Sequence, residues 1–391
     1  MITPVMPTYA RWDVAAERGE GCYLYAADGR KFLDFTSGIA VTSLGHCHPH
    51  LVDMVTEQAR KLWHVSNLFQ IPGQQRLAER LVANSFADTV FFNNSGAEAV
   101  ELSIKVARKY QSHIGHPERY RVIGCHGSFH GRSFATLAAA GAEAYLKGFG
   151  PVMEGFDHVA FNNLNEMRAA ITEHTAAILV EPVQGEGGVR APSEDYLRGL
   201  REICDEFGLL LVYDEVQSGM GRTGKLFAHE WEGVPPDIMA VAKALGNGFP
   251  IGACLATEKA ASGMVAGTHG STFGGNPMAV ACGNAVLDVM LEPGFFERVD
   301  RMARLLQGRL EKLTGDYPRL FAEIRGSGLL LGIRCNVTAG DVVAKLRGEG
   351  LLCLTAGDNV LRILPPLIVG EREIDEAIGL LEKVAREWPA T

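Results

Sequence analysis

Between residues 90 and 256 the chain alternates short, almost uninterrupted apolar runs with longer segments of helical or loop character. No other feature restricts its fold as strongly. Six runs stand out, at 90–92, 121–124, 177–180, 209–213, 238–242 and 252–256. They lack the polar–apolar alternation of a half-exposed strand, so they read as strands buried on both faces, which requires crossover connections and helical cover. The expected fold is therefore α/β with a mostly parallel sheet. Pro49 opens a stretch in which Leu51, Val52, Val55, Ala59 and Leu62 have helical spacing; a proline suits the first turn, where its missing N–H is not needed. Past residue 277 the pattern changes to a long apolar helical region over 277–313, a strand at 329–334, a helix from Ala339, strands near Leu351 and Leu361, and a last helix from Glu371. That is the pattern of a smaller α+β unit. At the other end, hairpin-like runs at 21–25 and 31–35 flank Asp28-Gly29 in a segment too short to fold alone.

Composition removes several function classes. With 46 acidic against 37 basic residues the net charge is −9, which disfavours general binding of nucleic acid or anionic membranes. Charges interrupt every apolar stretch before the roughly 20 residues that a spanning helix needs. No basic cluster followed by an apolar core opens the chain, so a cytoplasmic location is expected. The eight cysteines are scattered without a Cys-x-x-Cys pair, as suits reduced thiols packed in a core.

Two patterns suggest chemistry and then fail. The loop Gly219-Met220-Gly221-Arg222-Thr223-Gly224-Lys225 fits a phosphate-binding glycine pattern, but Leu226 stands where a hydroxyl should reach magnesium, and the loop follows the acidic strand end at Asp214-Glu215 instead of preceding it. His46-Cys47-His48-Pro49-His50 offers zinc-type ligands without a second cluster to complete a site, so it reads as a turn into the Pro49 helix, and no metal is expected.

Open α/β sheets bind ligands at the carboxyl ends of their strands. Three such ends carry informative residues. Ser95-Gly96-Ala97-Glu98 follows the first run in the form of a capping box, and a small-residue helix start can present backbone N–H groups to an anion. Asp214 ends the run 209–213, where a buried carboxylate needs a cation or a donor. Lys243 follows the run 238–242, where desolvation favours the free amine needed for Schiff-base chemistry. An anion cradle, an acid for a pyridinium nitrogen and a reactive amine are together what pyridoxal 5'-phosphate requires.

These residues sit in segments by which the chain resembles the class-III pyridoxal-phosphate aminotransferases over nearly its whole length. Among them are Asn94-Ser95-Gly96-Ala97-Glu98, Ser128-Phe129-His130-Gly131-Arg132, Glu181-Pro182-Val183-Gln184-Gly185-Glu186, Asp214-Glu215-Val216-Gln217 and Gly270-Ser271-Thr272-Phe273. The resemblance implies fold type I, with a seven-stranded sheet in a large domain over 49–292, a small domain over 293–391, and an N-terminal segment, 1–48, packed on the small domain and a partner subunit. It implies Lys243 as cofactor anchor and general base and Asp214 as partner of the ring nitrogen. Phe129 would stack on the ring, with Val216 and Gln217 beside it, and Ser95, Gly96 and Ala97 would cradle the phosphate. Thr272 would reach the phosphate of the neighbouring subunit, which makes the active form a homodimer. Arg132 would bind the α-carboxylate of an ornithine-type donor and Arg362 that of glutamate or 2-oxoglutarate. Glu186 would mask Arg362 during the first half-reaction, with Ser271 a further substrate position. The implied reaction runs between N2-acetyl-L-ornithine and 2-oxoglutarate in arginine biosynthesis, with succinylornithine, succinyldiaminopimelate or 4-aminobutyrate as alternative donors.

Overall fold

The computed structural model describes residues 3–389. Its central sheet has seven strands in the order Thr89–Asn93, Gly252–Ala256, Ile238–Val241, Leu210–Asp214, Thr175–Val180, Arg121–Cys125 and Phe156–Val159. Gly252–Ala256 runs antiparallel to both its neighbours, and the other pairings are parallel. All six residues of Thr175–Val180 are buried, in keeping with a sheet covered on both faces. At roughly 1.5–3 kcal/mol for each large apolar side chain buried, these central strands supply much of the drive to fold.

Six of the seven strands match the apolar runs. The seventh, Phe156–Val159, lies at the sheet edge, and its Asp157 and His158 interrupt the apolar signal. The helix Gly96–His113 packs on Ile238–Val241 and Gly252–Ala256, burying Ala99, Val100, Leu102, Ile104, Val106 and Ala107. Pro277–Met290 packs on Pro49–Ala59 and Pro72–Ala83. The helical region expected over 277–313 is two helices, Pro277–Met290 and Phe295–Asp316, bent by 74° at a break that ends on Gly294 in the left-handed region. No single described helix is long and apolar enough to cross a membrane.

Toward the C-terminus, Phe321–Ser327, Leu330–Cys335, Val360–Ile363 and Leu354–Ala356 form an antiparallel sheet in that order. The first of these strands escaped the sequence pattern because Glu323 and Arg325 break its apolar run. The N-terminal strands Ala16–Glu20, Tyr23–Ala26 and Lys31–Asp34 are joined by Leu351–Leu352, parallel to Lys31–Asp34, so the hairpin docks on the C-terminal segment.

Candidate active site

The carboxyl ends of the parallel strands and the amino end of the reversed strand meet at one side of the sheet. They enclose a cavity of about 410 Å³ lined by Ser95, Gly96 and Ala97, by Phe129, His130 and Arg132, by Glu181 and Glu186, by Asp214, Val216 and Gln217, and by Lys243. Phe249, Pro250 and Ile251 join them because Gly252–Ala256 runs the other way and begins where its neighbours end.

Ser95 caps the helix Gly96–His113, its Oγ accepting the Glu98 N–H at 3.2 Å. The reciprocal bond of the expected capping box is displaced by one residue, since Glu98 Oε2 accepts the N–H of Asn94 at 2.7 Å. The N–H groups of Gly96 and Ala97, in the first turn, have no intrahelical acceptor and lie at the positive end of the helix dipole. A Cβ on Gly96 would come within 2.7 Å of Val216 Cγ1, so the close approach of this helix start to the Val216 wall requires glycine.

Asp214 is the last residue of its strand and is 4% exposed. Its Oδ1 accepts the Val216 N–H at 2.9 Å, and its Oδ2 accepts His130 Nδ1 at 2.8 Å. Burial works to lower the pKa of His130, but the bond to Asp214, its charge and that of Glu181 prevail and raise it above the ordinary value. The other ring nitrogen, Nε2, is buried without a partner.

Lys243 opens a one-turn 3₁₀ helix, Lys243–Leu245, with φ of 47°, a left-handed conformation that costs a non-glycine residue on the order of 1–3 kcal/mol. Burial pushes its ammonium down to about 8; Arg362 acts in the same direction, while Glu186, Asp214 and Glu181 oppose it. Glu181, directly after Thr175–Val180, is pushed up to about 7 by burial, with the charge of Asp214 adding to the shift and that of His130 opposing it.

Arginines occupy two walls. The Arg132 guanidinium lies over the Tyr145 ring, 4.0 Å from its centroid, and 5.6 Å from that of Phe129. Aromatic faces hold it, which leaves its donors available to a carboxylate. Arg362, on Val360–Ile363, is 2% exposed and lies behind Glu186 and Gln217, which line the cavity in front of it. Its NH1 donates to Glu186 Oε1 at 2.5 Å and to Gln217 Oε1 at 3.0 Å, and Gln217 Nε2 donates to Glu186 Oε1 at 3.3 Å. Burial opposes ionisation of Glu186, but the charge and hydrogen bond of Arg362, helped by Lys243 and Gln217, hold its carboxyl below the usual range.

Ten of the thirteen site residues singled out in the sequence therefore line one cavity, with Arg362 directly behind two of them. Ser271 and Thr272 do not. They line a separate surface recess with Asn93, Asn94, Glu98 and Phe273, where Asn94 Nδ2 donates to Ser271 Oγ at 3.2 Å. His130 and Glu181 were not singled out. The strand-end rule that picks out Asp214 also picks out Glu181, which follows the run 177–180; no local pattern pairs His130 with a residue 84 positions away.

The glycine loop and the histidine run both make structural contacts. Arg222, within the glycine loop, is fully buried and donates to Ser43 Oγ and to the carbonyls of Leu329 and Pro365, tying three parts of the chain together. In the histidine run, His46 pairs with Asp34 at 2.8 Å and His50 with Asp288 at 3.0 Å. Among the described residues no group of three or more His, Cys, Asp or Glu side chains could hold a metal.

A lysine of depressed pKa, an imidazole-paired acid and a helix start with unpaired N–H groups line one α/β cavity, a set that suits pyridoxal-phosphate chemistry. Residues 6–385 match the aminotransferase class-III family model, and the chain belongs to that family. It is 55% identical over 387 residues to the acetylornithine aminotransferase of Agrobacterium fabrum, covering 99% of this chain and 97% of that one. Among solved structures, N-acetylornithine aminotransferase from Stenotrophomonas maltophilia superposes with a TM-score of 0.85 at 39% identity, covering 97% of each chain. The ornithine aminotransferase of Toxoplasma gondii, with PLP at partial occupancy in its active site, superposes with a TM-score of 0.93 at 32% identity, covering 98% of this chain and 92% of that one.

Proposed function

We propose that the chain is an acetylornithine aminotransferase. It transfers the distal amino group of N2-acetyl-L-ornithine to 2-oxoglutarate, giving N-acetyl-L-glutamate 5-semialdehyde and L-glutamate in arginine biosynthesis, with pyridoxal 5'-phosphate as cofactor. One observation carries the reading: Lys243, the Asp214–His130 pair and the helix start at Gly96 and Ala97 line the same cavity. These residues fit the cofactor. The backbone of Gly96 is bare because a Cβ has no room beside Val216, and the buried acid, the amine and the helix start are the three polar groups the cofactor needs.

When bound, the cofactor supplies an electron sink for the negative charge that develops on the substrate carbon carrying the transferred nitrogen. Gly96 and Ala97 bind its phosphate through their N–H groups, with the helix dipole behind them. Asp214, supported by His130, holds a proton at the pyridine nitrogen. Phe129 and Val216 give the ring apolar surfaces and keep water from it. Lys243 supplies the anchoring amine and then the base that moves a proton at the reacting carbon; a pKa of about 8 leaves a usable fraction of free amine near neutral pH.

Two substrates must use one pocket. Arg132 takes the α-carboxylate of the acylated ornithine, and Arg362 takes that of glutamate or 2-oxoglutarate once Glu186 swings away. The names of the relatives above support the acetyl donor. Side-by-side turnover of acetylornithine, ornithine, succinylornithine and 4-aminobutyrate with 2-oxoglutarate tests this; the reading requires the highest kcat/KM for acetylornithine.

The active form in this reading is a homodimer in which Thr272 and Ser271 serve the partner's cofactor site. Their place outside the cavity of their own chain supports it, as do the exposed apolar side chains Leu68, Phe69, Trp63 and Phe273, of the kind an interface covers. Sedimentation of the holoenzyme tests the assembly, and a Thr272→Ala variant with weaker cofactor retention tests the shared site.

A further inference from the structure

Glu181 touches no reacting atom in the chemistry above, acting there only through its charge on His130 and Lys243, yet its carboxyl reaches two walls of the cavity at once. One oxygen, Oε1, accepts the backbone N–H of Phe129, the residue next to His130 and three before Arg132. The other, Oε2, accepts the N–H of Gly185 at 3.2 Å, one residue before Glu186. Glu181 as a whole is 6% exposed, so no bulk water is at hand to replace either bond.

Gly185 is itself confined. A Cβ there would lie 2.0 Å from Gln217 Oε1, and Gln217 is bonded to both Glu186 and Arg362. Movement of the backbone at 185 therefore displaces Gln217 and the cover over Arg362 together. On the other side, movement at Phe129 shifts the neighbour of the imidazole that supports Asp214.

We infer that Glu181 is a positioning residue that locks the Phe129–Arg132 wall and the Glu186 cover of Arg362 into one register, so that cofactor placement and the choice between the two substrates are set by a single side chain. This rests on the roles proposed above for Glu186 and Arg362. Above pH 7, where its carboxyl is mostly ionised, Glu181 can accept at both oxygens, whereas an amide can accept at only one and turns an NH₂ toward the other N–H, so Glu181→Gln releases one loop while keeping size and shape.

The test is hydrogen exchange of the holoenzyme read by mass spectrometry, with the KM values for acetylornithine and 2-oxoglutarate measured on the same preparations. In Glu181→Gln, peptides over 126–132 or 183–188 are expected to exchange at least tenfold faster while the strand Leu210–Asp214 is unchanged, and the ratio of the two KM values is expected to shift at least threefold. That ratio does not depend on the fraction of folded enzyme. Glu181→Asp, which keeps the charge but shortens the reach, is expected to give the same local signature. Unchanged exchange, uniform acceleration across the chain, or a fall in kcat with the ratio intact would overturn the inference. Glu186→Ala is the control for the underlying reading: if it too leaves the ratio unchanged, the masking role of Glu186 fails; if it shifts the ratio and Glu181→Gln does not, only the inference fails.

Discussion

His130 donates from Nδ1 to Asp214 Oδ2 at 2.8 Å, and both side chains are almost wholly buried at the floor of the cavity. The pair makes Asp214 a fixed acceptor instead of a mobile acid. Replacing His130 by Phe leaves the carboxylate with only the Val216 N–H, and losing one partner of a buried charged hydrogen bond costs about 1–3 kcal/mol. The expected result is a lower melting midpoint and a fall in kcat of about tenfold or more, since about 1.4 kcal/mol lost at the transition state is already tenfold. Thermal denaturation and steady-state assay check both, and wild-type values for the two would contradict the role.

Lys243 titrates well below an ordinary lysine because burial removes the water that would solvate its charge. In the cofactor-free protein, the rate of modification of Lys243 by an amine-directed reagent should rise about tenfold per pH unit up to about 8 and level off above it. Peptide mapping across a pH series measures this. A rate still climbing toward 10.5 would show an unshifted amine.

Gly96 and Val216 share one narrow gap. Gly96→Ala places a methyl 2.7 Å from Val216 Cγ1, so either the helix start or the Val216 wall must retreat, and phosphate binding weakens. The expected outcome is a cofactor Kd raised about tenfold or more, equivalent to ~1.4 kcal/mol, with much of the loss recovered in the Gly96→Ala/Val216→Ala double variant. Equilibrium dialysis distinguishes this from a general loss of folding, which the second substitution would not repair.

The strand ends were legible in the sequence for a physical reason. A run of five apolar residues closed by Asp214, or by Lys243, marks a polar group held where a buried strand stops, and the structure brings those groups to one cavity. The edge strand Phe156–Val159 was not legible because an edge strand need not be apolar on both faces. Nor was the reversal of Gly252–Ala256, since a strand buried on both faces reads the same in either direction. The Asp214–His130 bond, the double use of Glu181 and the left-handed Lys243 all arise from tertiary contacts or backbone geometry that no local pattern encodes.

Glu186 covers Arg362 from the cavity side, so its removal exposes a buried guanidinium to any diacid that enters. Glu186→Ala should favour glutamate and 2-oxoglutarate over acetylornithine, changing the ratio of their kcat/KM values about tenfold, or ~1.4 kcal/mol. Steady-state kinetics with each substrate varied in turn provide the check. An unchanged ratio would mean that Glu186 does not gate access of the diacid to Arg362.

In the proposed function, Lys243 is the amine through which this cavity holds its cofactor. Borohydride reduction of the holoenzyme, followed by proteolysis and mass analysis, tests it most directly. The cofactor is expected to be fixed to the peptide containing Lys243, and acetylornithine added before reduction is expected to abolish the label. Label on another lysine, or none on Lys243 in enzyme that turns over, would contradict it.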